Sequence, residues 1–418
     1  MVTCYPLTRS MLTRCPPHDD CPPLDEGIPM SRASIPRDRD DDHGAPAAAA
    51  RREFLMQQGA QALDHVGSFS FDPQTTKGNI ENFIGAAQVP IGIAGPLLVH
   101  GEHASGDFYV PLATTEGALV ASYNRGMRVI HESGGARVTI SQDHMQRSPV
   151  FLFRSAREAR DFGLWVDDNT AKITEVAEAT TRIGRLESVT PFAVGPNLYL
   201  RFDYSTGDAA GQNMTSKATL AACQWMSANY PPGADFILSG NIDTDKKHSH
   251  INTLFSRGKR VIAEVTTSER TLRDLVGVGP KDLFRARQIS QAGAFMAGSA
   301  NNGAHAANGL TALFIATGQD VANVAESHAG LLYTQLLDNG DYYWSITLPS
   351  LIVATHGGGT GLATQRECLE LLGCRGDGSA KKFAEIAAAT VLAGEISLAS
   401  AVLAGDWVTG HEKLGRNR

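Results

Sequence analysis

The sequence predicts a mixed α/β fold of the α+β kind, built from two or three folding units. The chain has 418 residues, 42% of them hydrophobic, which is enough to bury more than one core. Strand and helix patterns follow the order β-α-β-β-β-α between residues 149 and 237, as expected for a small α+β sandwich. Helical patterns dominate after residue 250. A small unit and a larger helix-rich unit are therefore expected.

Charge and cysteine usage narrow the class of protein. A net charge of −7 and a pI near 6.0 give no reason to expect nucleic acid, so a small-molecule substrate is expected. The six cysteines predict reduced thiols and a cytoplasmic location. No window approaches ~18 uninterrupted apolar residues, so neither a membrane anchor nor a secretory signal is expected.

Residues 1–48 contain prolines and the charged run 37–42, with little apolar periodicity. Such a segment cannot bury enough apolar surface to become ordered, so a disordered tail is predicted. A short amphipathic helical segment is expected over residues 49–65. Residues 81–97 then combine glycine, proline and β-branched residues, which suits a strand broken by turns.

A helix is predicted to open at Thr114 and Thr115, which are good N-caps, with Glu116 in its first turn. There an acid complements the helix dipole, so a structural and a catalytic role for Glu116 both stay open. In the small unit, strands are predicted at residues 150–153, 172–176, 185–190 and 197–202, and helices at 156–164 and 213–227.

The glycine-containing turn at residues 205–214 enters a helix N-terminus and could present backbone N–H groups to a phosphate. Arg182 lies just upstream and could supply positive charge to that phosphate or face water. The turn lacks the GxGxxG pattern of the doubly wound fold. A nucleotide is therefore only one interpretation of this turn.

Residues 239–247 follow an apolar strand pattern and place Asp243 and Asp245 before Lys246 and Lys247. A loop of this composition can hold an anion and also direct an ammonium at a reacting oxygen. The alternative is a solvated surface loop.

The helix-rich half carries further polar residues in small-residue surroundings. His305 and Asn308 are one helical turn apart, and a buried structural histidine is the alternative to a site residue. Asp320 is predicted at a helix end, where an acid opposes the dipole and needs another reason to be present. A buried strand is expected at 348–355 and a buried helix at 381–404. The polar segment 406–418 with His411 suits either a lid or a frayed terminus.

Six stretches of the chain, in order, resemble the NADPH-using class (class I) of the 3-hydroxy-3-methylglutaryl-coenzyme A (HMG-CoA) reductase family. They lie at residues 81–97, 114–128, 207–217, 239–247, 296–320 and 349–361. The resemblance implies a thioester reduced to a primary alcohol, mevalonate, by two NADPH, with no metal. It implies that Lys246 stabilises the oxyanion, Glu116 donates a proton, Asp320 bridges them and His411 protonates the departing thiolate.

The same resemblance assigns binding residues, position by position. The implied substrate contacts are Arg147, Ser239, Asn241, Asp245, Lys247, His305 and Asn308. The implied cofactor contacts are Thr181, Arg182, Asp208, Gly211, Gln212, Asn213 and Arg416. Arg182 and Arg416 would bind the 2′-phosphate, because a guanidinium fork matches a phosphate dianion.

The resemblance also implies the domain plan. A large substrate domain at 66–147 and 250–405 receives a small, ferredoxin-like cofactor domain at 149–237. The catalytic loop at 238–249 joins the two, and a flap follows at 406–418. Active sites of the family form between subunits, so self-association as a dimer or tetramer is expected.

Several positions depart from the family pattern. Ala210 and Gln212 stand where methionine is usual, Gly303 where asparagine is usual, and Asn417 where animal and plant enzymes have a phosphorylatable serine. Three alternative functions remain: NAD-dependent mevalonate oxidation, a silent homologue that only binds CoA esters, and an inhibitor-resistant copy.

Overall fold

The structure is a computed structural model that describes residues 33–299 and 301–405. The first helix, α1 (Ala45–Gln57), begins inside the segment expected to be disordered. Arg51 of this helix is only 1% exposed and donates to the carbonyl oxygens of Pro36, Asp42 and Phe83. The prediction of disorder is therefore wrong for residues 45–48, because a buried guanidinium ties the helix to the chain on both sides. The part of that prediction that covers residues 1–32, and the flap at 406–418, lie outside the described residues.

The first segment of the large unit contains two helices and three strands after α1. They are α2 (Asp64–Gly67), β1 (Ile91–Gly101), β2 (Ser105–Ala113), α3 (Leu119–Glu132) and β3 (Ala136–Arg147). The helix predicted to open at Thr114 begins five residues later, at Leu119, after the left-handed residue Ala118. Glu116 therefore lies in a loop and not in the first turn of α3, which removes the helix-dipole explanation for this acid.

The small unit follows with the elements β4 (Val150–Leu152), α4 (Ala156–Asp168), α5 (Thr170–Glu178), β5 (Arg185–Val194), β6 (Asn197–Ser205), α6 (Gln212–Asn229) and β7 (Asp235–Ile237). Its strands pair antiparallel in the order β7-β4-β6-β5. This order and the β-α-β-β-α-β sequence confirm the ferredoxin-like prediction. The strand predicted at 172–176 is wrong: Ile173 and Ala177 are buried at the four-residue spacing of one helix face, in α5.

The second segment of the large unit contains α7 (His250–Phe255), β8 (Gly258–Thr267), α8 (Glu269–Val276), α9 (Pro280–Met296), α10 (Ala306–Thr317), α11 (Val324–Ser327), β9 (Leu331–Leu336), β10 (Tyr342–Leu351), α12 (Ala363–Leu371) and α13 (Ser379–Ala404). Short 3₁₀ turns lie at Pro73–Thr76, Val321–Asn323 and Gly358–Gly361.

One strand, β3, belongs to both sheets. Its residues 137–144 pair antiparallel with β8 of the large unit, and Met145–Arg147 pair with β6 of the small unit. The large sheet continues from β8 through β10 to β9, and β1 pairs parallel with the start of β3. Each unit has a hydrophobic core of its own. The chain returns from the small unit through the loop after β7, which places that loop where the two units meet.

Helix α13 is the centre of the large core, packed against α3, α10 and strands β8 and β10. It is long and apolar enough to cross a membrane, but 78% of its apolar window is buried inside the protein. Burial on nearly every face explains why its sequence shows no polar stripe.

The contact between α3 and α13 depends on a glycine. A Cβ built on Gly126 would lie 1.8 Å from the carbonyl oxygen of Ala393 in α13, so no side chain fits there. Gly163 in α4 is a matched helical glycine whose Cβ would meet only a Leu198 methyl group at 3.4 Å.

We expect Gly126→Ala to lower the free energy of unfolding by about 2 kcal/mol, because the two helices must separate. Gly163→Ala should leave stability unchanged or raise it by up to ~1 kcal/mol through helix propensity. Thermal and denaturant unfolding of both variants measures the difference. Equal stability of the two variants would contradict the close packing of α3 on α13.

Candidate active site

The catalytic loop, residues 238–249, has an unusual main chain. Asn241, Thr244 and Lys246 have φ values of 64°, 49° and 57°, in the left-handed region that residues with a Cβ rarely adopt. Asn252 of α7 holds this loop by donating from Nδ2 to Thr244 Oγ1 at 2.6 Å and to the Asp243 carbonyl at 3.3 Å. Strain of this kind is typical of functional sites, where the surrounding structure holds the backbone.

Lys246 contacts Asp320, which is one of the two contacts that the family resemblance implies for this acid. Lys246 Nζ lies 2.7 Å from Asp320 Oδ2, and the two side chains are 41% and 42% exposed. Asp320 does not end α10, which stops at Thr317 before the left-handed Gly318. It precedes the Val321–Asn323 turn, and its Oδ1 accepts the Ala322 N–H at 3.1 Å. Asp320 therefore has two partners, a turn that fixes its position and an ammonium that faces solvent.

Glu116 has a different neighbour. Its backbone N–H donates to Thr114 Oγ1 at 3.0 Å, and its Oε1 accepts from Asn308 Nδ2 at 3.3 Å. Within one chain the Glu116 side chain is exposed. The structure thus forms two separate pairs, Lys246 with Asp320 and Glu116 with Asn308.

His305 is buried at the start of α10. Its ring stacks on Tyr123 at 4.8 Å between centroids, and Nε2 lies 3.3 Å from Ser122 Oγ. The backbone N–H of His305 donates to Glu395 at 2.7 Å. Burial lowers the pKa of His305 from 6.5 to about 4, and Arg125 adds to the lowering. The imidazole is therefore neutral at physiological pH, which agrees with the structural alternative for this residue.

The predicted substrate-carboxylate residues surround the catalytic loop. Arg147 Nη1 contacts Asp243 Oδ2 at 2.9 Å, and Lys247 Nζ donates to the Asp245 carbonyl at 2.8 Å. Burial raises the pKa of Asp243 despite Arg147. Ser239 and Asn241 are exposed at the start of the loop. Arg147 and Lys247 are thus tied to the loop through the Asp243 carboxylate and the Asp245 carbonyl.

The cofactor candidates have unequal surroundings. Gly211 has φ +82° at the N-terminus of α6, and a Cβ there would lie 2.2 Å from the Thr206 side chain, so the turn requires glycine. Arg182 and Asn213 are exposed. The hydroxyl of Thr181 accepts the Gly184 N–H at 3.1 Å. Backbone N–H groups at the start of the 18-residue helix α6 can accommodate an anion, so this turn fits a phosphate.

Two of the cofactor candidates, Asp208 and Gln212, have side chains that form hydrogen bonds to other parts of the protein. Asp208 accepts the N–H groups of Gly378 and Ala380 at 2.8 Å each, and so caps α13. Gln212 Nε2 donates to Asn323 Oδ1 at 3.0 Å and to Asp245 Oδ1 at 3.3 Å. Both hydrogen bonds direct the Gln212 side-chain amide toward the catalytic loop. This side chain is therefore not positioned to contact a nucleotide. His411 and Arg416 lie outside the described residues.

Sequence reasoning missed the buried anchor of this site. Arg257 and Glu326 are both fully buried and paired at 2.5 Å, and Arg257 also contacts Asp245 at 2.8 Å. The only signal in the sequence is a lone acid in the small-residue stretch Val324–Ser327. An isolated acid in a predicted helix gives no indication of its partner 69 residues away.

A half-exposed ammonium paired with a carboxylate, on a strained loop between an α/β unit and a ferredoxin-like unit, is an arrangement that can stabilise negative charge on a substrate oxygen, as in an enzyme active site. A sequence profile of the hydroxymethylglutaryl-coenzyme A reductase family matches residues 47–416. The chain belongs to this family of reductases.

Individual relatives agree with the family assignment. The chain is 43% identical to the 3-hydroxy-3-methylglutaryl-coenzyme A reductase of Pyrococcus horikoshii, over 88% of this chain and 92% of the relative. It is 45% identical to the enzyme of the same name from Aeropyrum pernix, over 88% and 90%. A solved class II reductase from Streptococcus pneumoniae, bound to NADPH, shares the fold with a TM-score of 0.63 at 22% identity, over 85% of this chain and 97% of that one.

Because His305 is buried, we expect its imidazole to stay neutral as pH falls, with a titration midpoint near pH 4 and not 6.5. The lowered pKa in the folded state means that this residue contributes stability above pH 6.5, and that the contribution is lost as the pH falls toward 4. NMR titration of labelled histidines, with His305→Gln to assign the signal, measures the midpoint. A midpoint at 6 or above would show that the ring is solvated.

Proposed function

We propose that this chain reduces (S)-3-hydroxy-3-methylglutaryl-coenzyme A to (R)-mevalonate and free coenzyme A, the first committed step of isoprenoid synthesis. The observation that carries the proposal is the 2.7 Å contact between Lys246 Nζ and Asp320 Oδ2 in a chain of the reductase family. Relatives at 43–45% identity carry the same enzyme name, which supports the substrate.

Lys246 stabilises the charge that develops on the substrate. Reduction of a thioester, and then of an aldehyde, places negative charge on the same carbonyl oxygen in both steps. An ammonium placed in advance at that oxygen favours the transition state over the ground state. Asp320 orients the ammonium through its Oδ2 while its Oδ1 is held by the turn that follows.

Glu116 supplies the proton that the reduced oxygen needs, with Asn308 holding its carboxyl group at 3.3 Å. His411 is assigned to protonate the departing thiolate, by its position in the family pattern. Arg147 binds the substrate's free carboxylate. Among the described residues, the buried Nε of Arg147 has no hydrogen-bond partner, so this guanidinium keeps a donor for an anion.

The cofactor proposed is NADPH, which supplies the hydride in each of the two reductions. The turn at Gly211 and the N-terminus of α6 would hold its phosphates, and the exposed Arg182 would hold the 2′-phosphate. The NADPH-bound pneumococcal structure supports this choice through the shared fold. Identities of 43–45% to archaeal relatives, against 22% to the class II structure, favour the class I assignment. We also propose that the enzyme is soluble, because the apolar helix α13 is buried inside the protein. A cytoplasmic location is proposed because the described cysteines Cys223, Cys368 and Cys374 are free thiols.

The active site is proposed to form between two copies of the chain. Asn308, which holds Glu116, lies near the start of α10, whereas Asp320, which holds Lys246, follows its end. From Asn308 to Thr317 the helix axis spans about 14 Å at about 1.5 Å per residue. One substrate carbonyl needs both groups within about 3 Å, so Glu116 must come from a second copy.

An exposed apolar surface supports self-association. Phe295 and Met296 at the end of α9 are 88% and 87% exposed, and Ile289 on the same helix is 64% exposed. A cavity of about 330 Å³, lined mainly by apolar groups, lies beside them and extends to Ala304. Large apolar side chains clustered in this way favour burial against another protein surface.

We expect Lys246→Met to lower kcat at least ~10²-fold with the fold retained, because the oxyanion loses its charged donor. Lys172→Met, at an exposed lysine of α5 that pairs with Glu175, is the matched control and should keep full activity. The assay follows NADPH oxidation with HMG-CoA and identifies mevalonate as the product. Comparable activity in the two variants would refute the proposed role of Lys246.

The interface proposal predicts complementation between two inactive variants. When Glu116→Gln and Lys246→Met chains are co-expressed, half of the dimers are hybrid and each hybrid has one intact site. The mixture should therefore regain about a quarter of the parent's activity. A site made within one chain predicts no recovery above the separately purified variants, and that outcome would exclude a shared site.

A further inference from the structure

One short segment contacts both the backbone N–H and the side-chain ammonium of Lys246. Asp320 contacts its ammonium, and Glu326, six residues later, accepts the backbone N–H of the same lysine through Oε1. The intervening residues form the Val321–Asn323 turn and the start of α11, so the two acids are rigidly connected. A single structural segment therefore fixes both the main chain and the side chain of the catalytic lysine.

The surroundings of Glu326 are built for this contact. Its carboxylate is fully buried. Oε1 accepts hydrogen bonds from both the Lys246 N–H and Arg257 Nη1, and Oε2 accepts one from Asn252 Nδ2 at 3.5 Å. Arg257 extends the contact to Asp245 Oδ1 at 2.8 Å. Asp245 and Lys246, two adjacent loop residues, are thus both tied to the same buried ion pair.

Stability alone does not explain the buried pair of Glu326 and Arg257. Burial raises the pKa of Glu326 to about 7 although Arg257 and the Lys246 N–H lower it, so the surroundings only partly offset the loss of solvation. Buried ion pairs contribute little net stability, because desolvation offsets their attraction. What the pair supplies is a fixed geometry at a residue with φ of 57°.

We propose that Glu326 is the positioning residue of Lys246: its carboxylate holds the lysine's main chain in the left-handed conformation that delivers Nζ to Asp320. Without this acceptor the loop relaxes toward ordinary φ values, and the ammonium moves away from Asp320 and the substrate oxygen. A displacement of about 1 Å at a catalytic group is enough to lower a rate by about 10²-fold.

The test compares Glu326→Gln with Glu385→Gln. Glu385 is the matched control, a fully buried carboxylate that accepts the backbone N–H groups of Glu102, His103 and Ala104, which lie outside the catalytic loop. Glu326→Gln should lower kcat at least ~10-fold while KM for NADPH stays within about twofold, because a neutral amide oxygen shared with Arg257 holds the Lys246 N–H more weakly than a carboxylate does. Glu385→Gln should keep kcat within about twofold, even if its thermal stability falls as much as that of Glu326→Gln.

Hydrogen exchange measured by mass spectrometry gives a second readout that needs no activity. Exchange in the peptide covering residues 240–247 should accelerate in Glu326→Gln and not in Glu385→Gln. The inference rests on the proposed reduction only for its kinetic readout, so a parent enzyme that forms no mevalonate would overturn that function and leave the exchange result to decide. Unchanged kcat with unchanged exchange in Glu326→Gln, or equal losses in both variants, would overturn the positioning role.

Discussion

The site depends on holding one lysine at two points. Asp320 contacts the Lys246 ammonium at 2.7 Å, and the buried carboxylate of Glu326 accepts a hydrogen bond from the backbone N–H of the same residue. A lysine side chain on a loop would otherwise sample many rotamers, and ordering it costs about 2 kcal/mol of conformational entropy. Three loop residues have left-handed backbone, and a buried ion pair lies beneath them. Together these features position one ammonium. Preorganisation of this kind is what electrostatic catalysis requires.

The loop lies where the two units meet, and hydrogen bonds between polar groups connect the units there. β3 runs from the large sheet into the small one, so the units cannot move independently at that strand. Gln212, at the start of α6, reaches Asp245 and Asn323, while Asp208 caps the core helix α13. The turn proposed for the cofactor therefore contacts the loop that carries the lysine. The segments proposed to bind cofactor and substrate are thus joined directly by hydrogen bonds.

The sequence predicted the parts of the fold that depend on local pattern and missed those that depend on distant partners. The apolar helix α13 and the strands at 150–153, 185–190 and 197–202 follow from periodicity, and the ferredoxin-like plan followed from family resemblance. In contrast, 172–176 formed a helix because burial at Ile173 and Ala177 outweighed β-branched residues. The Lys246–Asp320 pair followed from family resemblance. Glu326 and Arg257 did not, because their pairing joins residues 69 apart through the fold. The roles of His411 and Arg416 stay predictions.

The most direct test of this account is an experimental structure of the assembled enzyme with the thioester and the oxidised cofactor. The account predicts Lys246 Nζ of one chain and the Glu116 carboxyl of a second chain both within about 3.5 Å of the thioester oxygen. It also predicts that the Lys246 N–H still donates to Glu326 in that complex. A thioester bound away from Lys246, or one that contacts Glu116 and Lys246 of the same chain, would contradict it.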